Sequence, residues 1–194
     1  MNPPTSDHVL DLLVAGNERF VAGRCEHPRC NRRRRTELLA GQHPIAVIIC
    51  CSDSRVPPEF IFDQGLGDLF VIRVAGNIID DVVLGSIEYA VAHLDVSLVM
   101  VMGHSSCGAV IATVAGSTPV GHLAPLMAAI QPAVDRAVGQ PGDLADNAAR
   151  INTEMIVEHL CSSSPVLADL VGRSRLRIVA GFYDLATGRV EINP

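Results

Sequence analysis

The fold is decided by Ile45-Ala46-Val47-Ile48-Ile49-Cys50-Cys51-Ser52-Asp53-Ser54-Arg55. Its first half is unbroken apolar and largely β-branched, and its second half turns abruptly polar. Continuous rather than alternating apolar character predicts a strand covered on both faces, as in a parallel sheet. Two more runs share that character, residues 69–74 and 97–102, and the second leads into His104-Ser105-Ser106-Cys107. Between and after them, residues 57–62, 80–93, 123–138 and 144–161 read as helices. Residues 176–181 and 189–192 around Ala186-Thr187-Gly188 read as a hairpin. Alternating strands and helices predict an α/β fold: a mainly parallel central sheet of about four strands, an edge strand from the C-terminus, and flanking helices.

Working back toward the N-terminus, residues 7–23 carry Val9, Leu12, Leu13 and Phe20 near helical spacing, with Ser6 or Asp7 as the cap. That stripe must rest on the body of the domain or on a second subunit. Residues 24–35 are polar, contain Pro28, and read as an extended connection; a short helix over 36–40 then stops at Gly41. The expected organisation is one domain over 1–194, with a helical arm at 1–40 and an α/β body at 41–194.

Composition fits this. Of 194 residues, 48% are apolar and 19% charged, enough for one substantial core. The net charge of −6 argues against a nucleic-acid partner, and Arg32-Arg33-Arg34-Arg35 reads as a solvated turn or a salt-bridged surface. No segment approaches the roughly 18 uninterrupted apolar residues of a membrane span. The longest candidate, 82–102, is broken by Glu88, His93 and Asp95. The first residues lack a charged start and an apolar stretch, so no secretory signal is read. Six cysteines then point to reduced thiols, metal ligation and a cytoplasmic location rather than a disulfide frame.

The chemistry sits where the strands end. Cys51 and His104 follow the carboxyl ends of two expected parallel strands, the place where open α/β sheets put their sites. Cys107 opens an expected helix over 107–115, whose N-terminus favours the thiolate. Two thiolates and an imidazole suit Zn²⁺, and three protein ligands leave one place for water, which zinc acidifies to a pKa near 7. Asp53 and Arg55 alternate with Ser52 and Ser54, so both can project to one side, where a guanidinium clamps a carboxylate in two parallel hydrogen bonds. Clamped, Asp53 orients the attacking water; released, it reaches the metal and closes the open place. Cys50, by alternation, should point away from the metal into the core. Cys25-x-His27-x-x-Cys30 offers three ligands for a second zinc but no fourth. His43 suits proton transfer, and His93 and His159 fall in helical patterns as structural residues.

Cys51-Ser52-Asp53-Ser54-Arg55 and His104-x-x-Cys107 resemble the paired signatures of the β-class carbonic anhydrases. The likeness extends in order through Asn17-Glu18-Arg19-Phe20, Gly41-Gln42-x-Pro44, Asp63-Gln64-Gly65-Leu66-Gly67-Asp68-Leu69-Phe70 and Gly85-Ser86-Ile87-Glu88-Tyr89-Ala90-Val91. It implies reversible hydration of CO₂ to bicarbonate and a proton, with one Zn²⁺ per chain on Cys51, His104 and Cys107. It also implies Asp53 and Arg55 as the catalytic dyad, with Asp53 a fourth ligand only in a closed state. Gln42, Phe70 and Tyr89 match substrate-pocket positions of the plant-like branch: an apolar slot for CO₂ and one donor for the forming bicarbonate. The allosteric branch carries a tryptophan three residues before the first ligand; here that position is Ile48, so its bicarbonate-regulated site is not expected. The family further implies a homodimer or a dimer of dimers, the N-terminal helical arm packing on the partner subunit and Gln42 approaching the partner's zinc pocket. Two other functions share the machinery: hydrolysis of carbonyl sulfide or carbon disulfide, and a non-catalytic zinc module for assembly, against which Asp53, Arg55 and Gln42 speak.

Overall fold

The computed structural model describes residues 4–193. Five strands form one sheet: β1 Ala46–Cys50, β2 Leu69–Arg73, β3 Leu98–His104, β4 Arg177–Tyr183 and β5 Val190–Asn193. Their order is β2-β1-β3-β4-β5, with the first four parallel and β5 antiparallel to β4 at the edge. This is the architecture expected from the apolar runs, including the C-terminal hairpin. Every residue of β1 is buried, as its uniformly apolar sequence requires of a central strand with neighbours on both edges and cover on both faces.

Alternation along β1 sorts its side chains between two cores. Ala46, Ile48 and Cys50 join Leu98, Met100, Met102 and Val179 on one face, against Val9 and Leu13 of α1 (Ser6–Val21). Val47, Ile49, Val99 and Val101 face the other way. They pack against α4 (Asp81–His93), α7 (Leu144–Ser163) and α8 (Pro165–Gly172) through Ile87, Ile156, Leu160 and Leu167. Side chains capping these helices are those that favour N-termini: Asp80 accepts from the Val83 amide, Asp143 from Asp146 and Ser164 from Leu167.

The stripe of α1 rests on its own body. Asn17 donates to the carbonyls of Ile61 and Gly188 and accepts from the Val190 amide, stitching the helix to the segment after β1 and to the C-terminal hairpin. Gly16 permits the approach, because a Cβ there would lie 1.8 Å from the Phe62 carbonyl oxygen. A partner subunit is therefore not needed to bury Val9 and Leu13, although Leu12 and Val14 on the outer face stay 39% and 40% exposed.

One local expectation is corrected, and one helix was not read from the sequence. Residues 32–35 are helical rather than extended: α2 spans Arg32–Glu37, capped by Asn31, and a 3-10 turn then ends at Ala40. The arginines find partners at helical spacing, Arg33 with Glu37, while Arg34 reaches Asp68 and the Leu66 carbonyl. The unread helix is α8, unforeseen because it begins at Pro165 directly after α7. Proline at a first helical position starts a helix as readily as it ends one. The polar connection before α2 is held by buried carboxylates: Asp63 accepts from Arg19 and from the amides of Glu26 and His27, and Asp68 from Arg29. The remaining helices are α3 Pro58–Ile61, α5 Gly108–Val114 and α6 Leu123–Ala137. None of the described helices is long and apolar enough to cross a membrane.

Candidate metal centre

Parallel β1 and β3 lie side by side, with Cys50 opposite Met102, so the residues leaving their carboxyl ends converge. The ligand atoms of Cys51, His104 and Cys107 lie within 4.8 Å of one another, and all three residues are buried. The two sulfurs are 4.0 Å apart. A tetrahedral centre with Zn–S bonds of about 2.3 Å spaces its sulfurs by roughly 3.8 Å, so the pair already stands at ligating distance.

Each ligand is aimed by its own chain. The Nδ1 of His104 lies 2.9 Å from the Ser105 carbonyl, and its Nε2 is buried with no hydrogen-bond partner among the described residues. Donation from Nδ1–H to that carbonyl leaves the Nε2 lone pair free, the arrangement a metal-binding histidine needs. A buried nitrogen left otherwise unpaired is costly, and a cation at the cluster satisfies it. The Cys51 sulfur accepts from the backbone amides of Asp53 and Gly76, at 3.4 and 3.3 Å. Gly76 occupies a left-handed turn at φ 65°, the backbone conformation that favours glycine, and a Cβ there would press on Ile130 Cδ1 at 2.7 Å. Its carbonyl in turn accepts from Asn152 of α7.

Electrostatics favour a bound cation. The Cys51 thiol is pulled well below its ordinary range, most by a hydrogen bond from Cys107, then by the His104 ring and the two amides, against the opposing effect of burial. Cys107 is pushed up by that same Cys51 thiolate and by burial, while the amides of Val110 and Ala109 in α5 pull the other way. Two buried sulfurs 4.0 Å apart oppose each other's ionisation. A divalent cation between them would let both ionise. Two thiolates and one imidazole are the donor set that suits Zn²⁺.

Asp53 stands beside this cluster without belonging to it. Arg55 donates to it through Nε at 2.9 Å and Nη2 at 2.7 Å, the two-pronged clamp expected from the alternation. That guanidinium, with smaller help from the Arg55 amide, holds the Asp53 carboxyl well below the usual range against the opposing effect of partial burial. Arg55 also reaches the Ser106 carbonyl, and the Ser106 amide donates to Asp146 of α7 at 2.8 Å, so both ligand loops are linked. Ser105 does not cap α5; its hydroxyl accepts from the Leu185 amide.

The other expected residues gather elsewhere. Gln42 and Tyr89 line one cleft of about 730 Å³ together with His43, Ile45 and His93. Phe70 lies against Tyr89 with ring centroids 6.3 Å apart. Phe70 pairs with Val47, four residues before Cys51, so this cleft flanks the opposite end of the strand, on the order of 13 Å away. The three residues expected to line a substrate pocket are therefore grouped around Tyr89, away from the Cys51, His104 and Cys107 cluster of their own chain. His93 is exposed and lies 5.2 Å from Tyr89 between ring centroids, and His159 is exposed on α7, so neither is a core residue. Cys25, His27 and Cys30 form no ligand group; among the described residues Cys51, His104 and Cys107 make the one cluster. Cys50 faces the α1 side of the sheet as expected, and burial pushes its thiol up to about 12.

Sequence reasoning missed Arg73, Gly76, Asn152 and Asp146. Each makes a contact with a backbone group on one side and a partner far away in the chain on the other, and no spacing signals such a contact.

Comparison with known proteins agrees with this geometry. A family model described as carbonic anhydrase matches residues 46–190. Carbonic anhydrase 2 of Mycobacterium tuberculosis is 45% identical over 186 residues, covering 93% of this chain and 89% of that protein. A carbonic anhydrase of Mycolicibacterium smegmatis is 43% identical with the same coverage. Among solved structures, the β-carbonic anhydrase CcaA superposes with a TM-score of 0.76 at 29% identity, covering 95% of each chain. One of two tetrameric β-carbonic anhydrases from Sordaria macrospora gives 0.76 at 25% identity, covering 95% of this chain and 96% of that one.

Proposed function

The chain belongs to the β-class carbonic anhydrases, and from that premise we propose that Cys51, His104 and Cys107 hold one zinc ion for the reversible hydration of carbon dioxide to bicarbonate and a proton. The observation that carries this reading is the buried trio of ligand atoms with an orphaned His104 Nε2, beside a carboxylate that Arg55 keeps occupied. Bound there, zinc would supply the Lewis acidity that brings the pKa of water near 7.

The rest is done by the chain. Asp53, fixed by Arg55, accepts a hydrogen bond from the attacking water and turns a lone pair toward the substrate carbon. A carboxylate ionised across the physiological range suits that task, because it accepts without competing for the proton. The O–C bond forms, bicarbonate leaves as another water enters, and the released proton passes to buffer, with His43 the candidate carrier at the cleft. Phe70 and Tyr89 provide apolar walls for CO₂, and Gln42 donates to the oxygen on which charge develops. This is the pocket of the plant-like branch, and Ile48 in place of tryptophan fits the same assignment.

Because Gln42, Phe70 and Tyr89 flank the far end of the strand from their own cluster, the reading includes a homodimer or dimer of dimers in which one chain's cleft completes the other's centre. The tetrameric relatives from Sordaria macrospora support this. The outer face of α1, with Leu12 and Val14 half-exposed, is the surface for the arm to lay on its partner. The reading takes residues 1–194 as one domain, arm plus body, and the six free thiols fit a reducing, cytoplasmic setting.

Zinc analysis combined with stopped-flow CO₂ hydration tests the reading. One zinc per chain with rapid proton release is expected. Stoichiometric zinc without CO₂ hydration would overturn the catalytic assignment, and absence of zinc the metal assignment.

A further inference from the structure

Arg73 is the last residue of β2, opposite Cys50 in the parallel register with β1. Its guanidinium turns toward the loop that follows β1. Nε donates to the Cys51 carbonyl at 3.1 Å and Nη2 to the Asp53 carbonyl at 2.5 Å. Among the described residues, no carboxylate lies within ion-pair distance of it, unlike Arg19, Arg29, Arg34 and Arg55. Its donors are given to two backbone oxygens of the ligand loop instead.

Those two oxygens define how the loop stands. Cys51 carries a ligand sulfur, and Asp53 carries the carboxylate that must sit on Arg55 rather than on the metal. With the Asp53 carbonyl on Arg73 and its amide 3.4 Å from the Cys51 sulfur, the peptide groups on both sides of Asp53 are fixed. The carboxylate then projects to where Arg55 meets it with two bonds. Without Arg73 the Asp53 carbonyl keeps only the Val56 amide, at 3.0 Å, and the Cys51–Ser52 peptide is free to turn. The planar guanidinium matters, because its fork spans two acceptors at fixed separation whereas an ammonium is a single point.

We propose that Arg73 is a positioning residue that bridges the Cys51 and Asp53 carbonyls and so holds the metal loop with the Asp53 carboxylate on Arg55 and off the metal. This rests on the reading of Cys51, His104 and Cys107 as the metal ligands. It assigns Arg73 no contact with substrate.

Cobalt-substituted protein tests it, since the visible spectrum of cobalt(II) reports the ligand in the fourth place independently of turnover. Arg73→Ala should still bind one cobalt per chain, and at neutral pH should show a carboxylate-bound spectrum absent from the wild type. The second substitution Asp53→Ala should erase that change. In the zinc form kcat should fall about 10- to 100-fold with KM little altered, the range for groups that orient metal ligands. Millimolar guanidinium should restore part of the loss, and Arg73→Lys should fall between wild type and Arg73→Ala. A wild-type spectrum and kcat in Arg73→Ala would overturn the proposal. If that variant fails to fold, a folded Arg73→Lys decides: unchanged spectrum and kcat overturn the bridge, and a partial shift supports it. Failure of the wild type itself to take up cobalt would overturn the metal reading, a result separable from failure of the Arg73 bridge alone.

Discussion

At the carboxyl end of the sheet, Cys51, His104 and Cys107 are 5%, 0% and 2% exposed, and every loop that carries them is tied down within the chain. At the amino end, Gln42 and His43 are exposed and Tyr89 is 48% exposed along an open cleft. The first region is complete in one chain; the second carries chemistry without a reaction centre. Metal ligation needs three atoms within a few ångströms, which two adjacent strand ends supply. A substrate pocket needs walls on every side, and the residues proposed for those walls sit at the other end of β1. Catalysis by this chain, on that reading, is a property of two copies.

Destroying the closed region should have the largest effect. Cys51→Ala or His104→Ala should empty the centre by elemental analysis and reduce CO₂ hydration to background. Next comes Asp53→Ala, which should keep zinc and lower kcat about 10²- to 10³-fold, the scale of a positioned proton acceptor. Zinc loss in that variant would instead make Asp53 an obligatory ligand. Gln42→Ala should cost about 10²-fold in kcat/KM, the scale of one donor to a developing oxyanion. Its partner dependence is open to a direct trial: mixing and reassembling inactive Cys51→Ala and Gln42→Ala chains should restore about a quarter of wild-type activity if one chain's Gln42 serves the other's centre in a twofold dimer. No recovery would place Gln42 in its own chain's chemistry.

A control lies between the two ends. The Asp63 side chain is fully buried and paired with Arg19, so Asp63→Ala should cost about 3 kcal/mol by strand-and-helix melting while leaving zinc content unchanged. Burial alone would raise the Asp63 pKa, but the Glu26 amide, Arg19 and the His27 amide outweigh it, and the folded value lies below the unfolded one. Its stabilisation is therefore fully present above about pH 4 and fades as pH falls through the folded value. Asp63→Asn should flatten that acid limb in a stability titration. The smallest effect is expected at Cys50, where Cys50→Ala should cost about 1 kcal/mol and leave zinc stoichiometry intact.

That last pair of neighbours shows how much could be read in advance. Cys50 and Cys51 are chemically identical, yet strand alternation alone turned Cys50 into the core, and the structure sets it on the α1 side of the sheet while Cys51 joins Cys107 in a separate buried cluster. The Asp53 clamp followed from the same period-two geometry. Where the reading slipped, the determining contact was mostly distant: Asp63 and Asp68 fastening the arm, Asp146 and Asn152 bracing loops from α7; the Asn31 cap that turns the arginine run into a helix is the local exception.

Residue type, a period of two and motif spacing were enough to read the strands, the full burial of β1 and β3, the Cys51, His104 and Cys107 cluster and the aspartate–arginine pair, whereas β2 at the sheet edge is only half-buried. Folding alone set which carbonyls Arg73 and Asn152 hold, that the Gly76 amide meets the Cys51 sulfur, and that Gln42 and Tyr89 stand at the opposite end of the strand from the Cys51, His104 and Cys107 cluster. Those outcomes depend on sheet register and on packing between segments far apart in the chain, where the free energy of a contact is set by the position of both partners and neither segment alone encodes it.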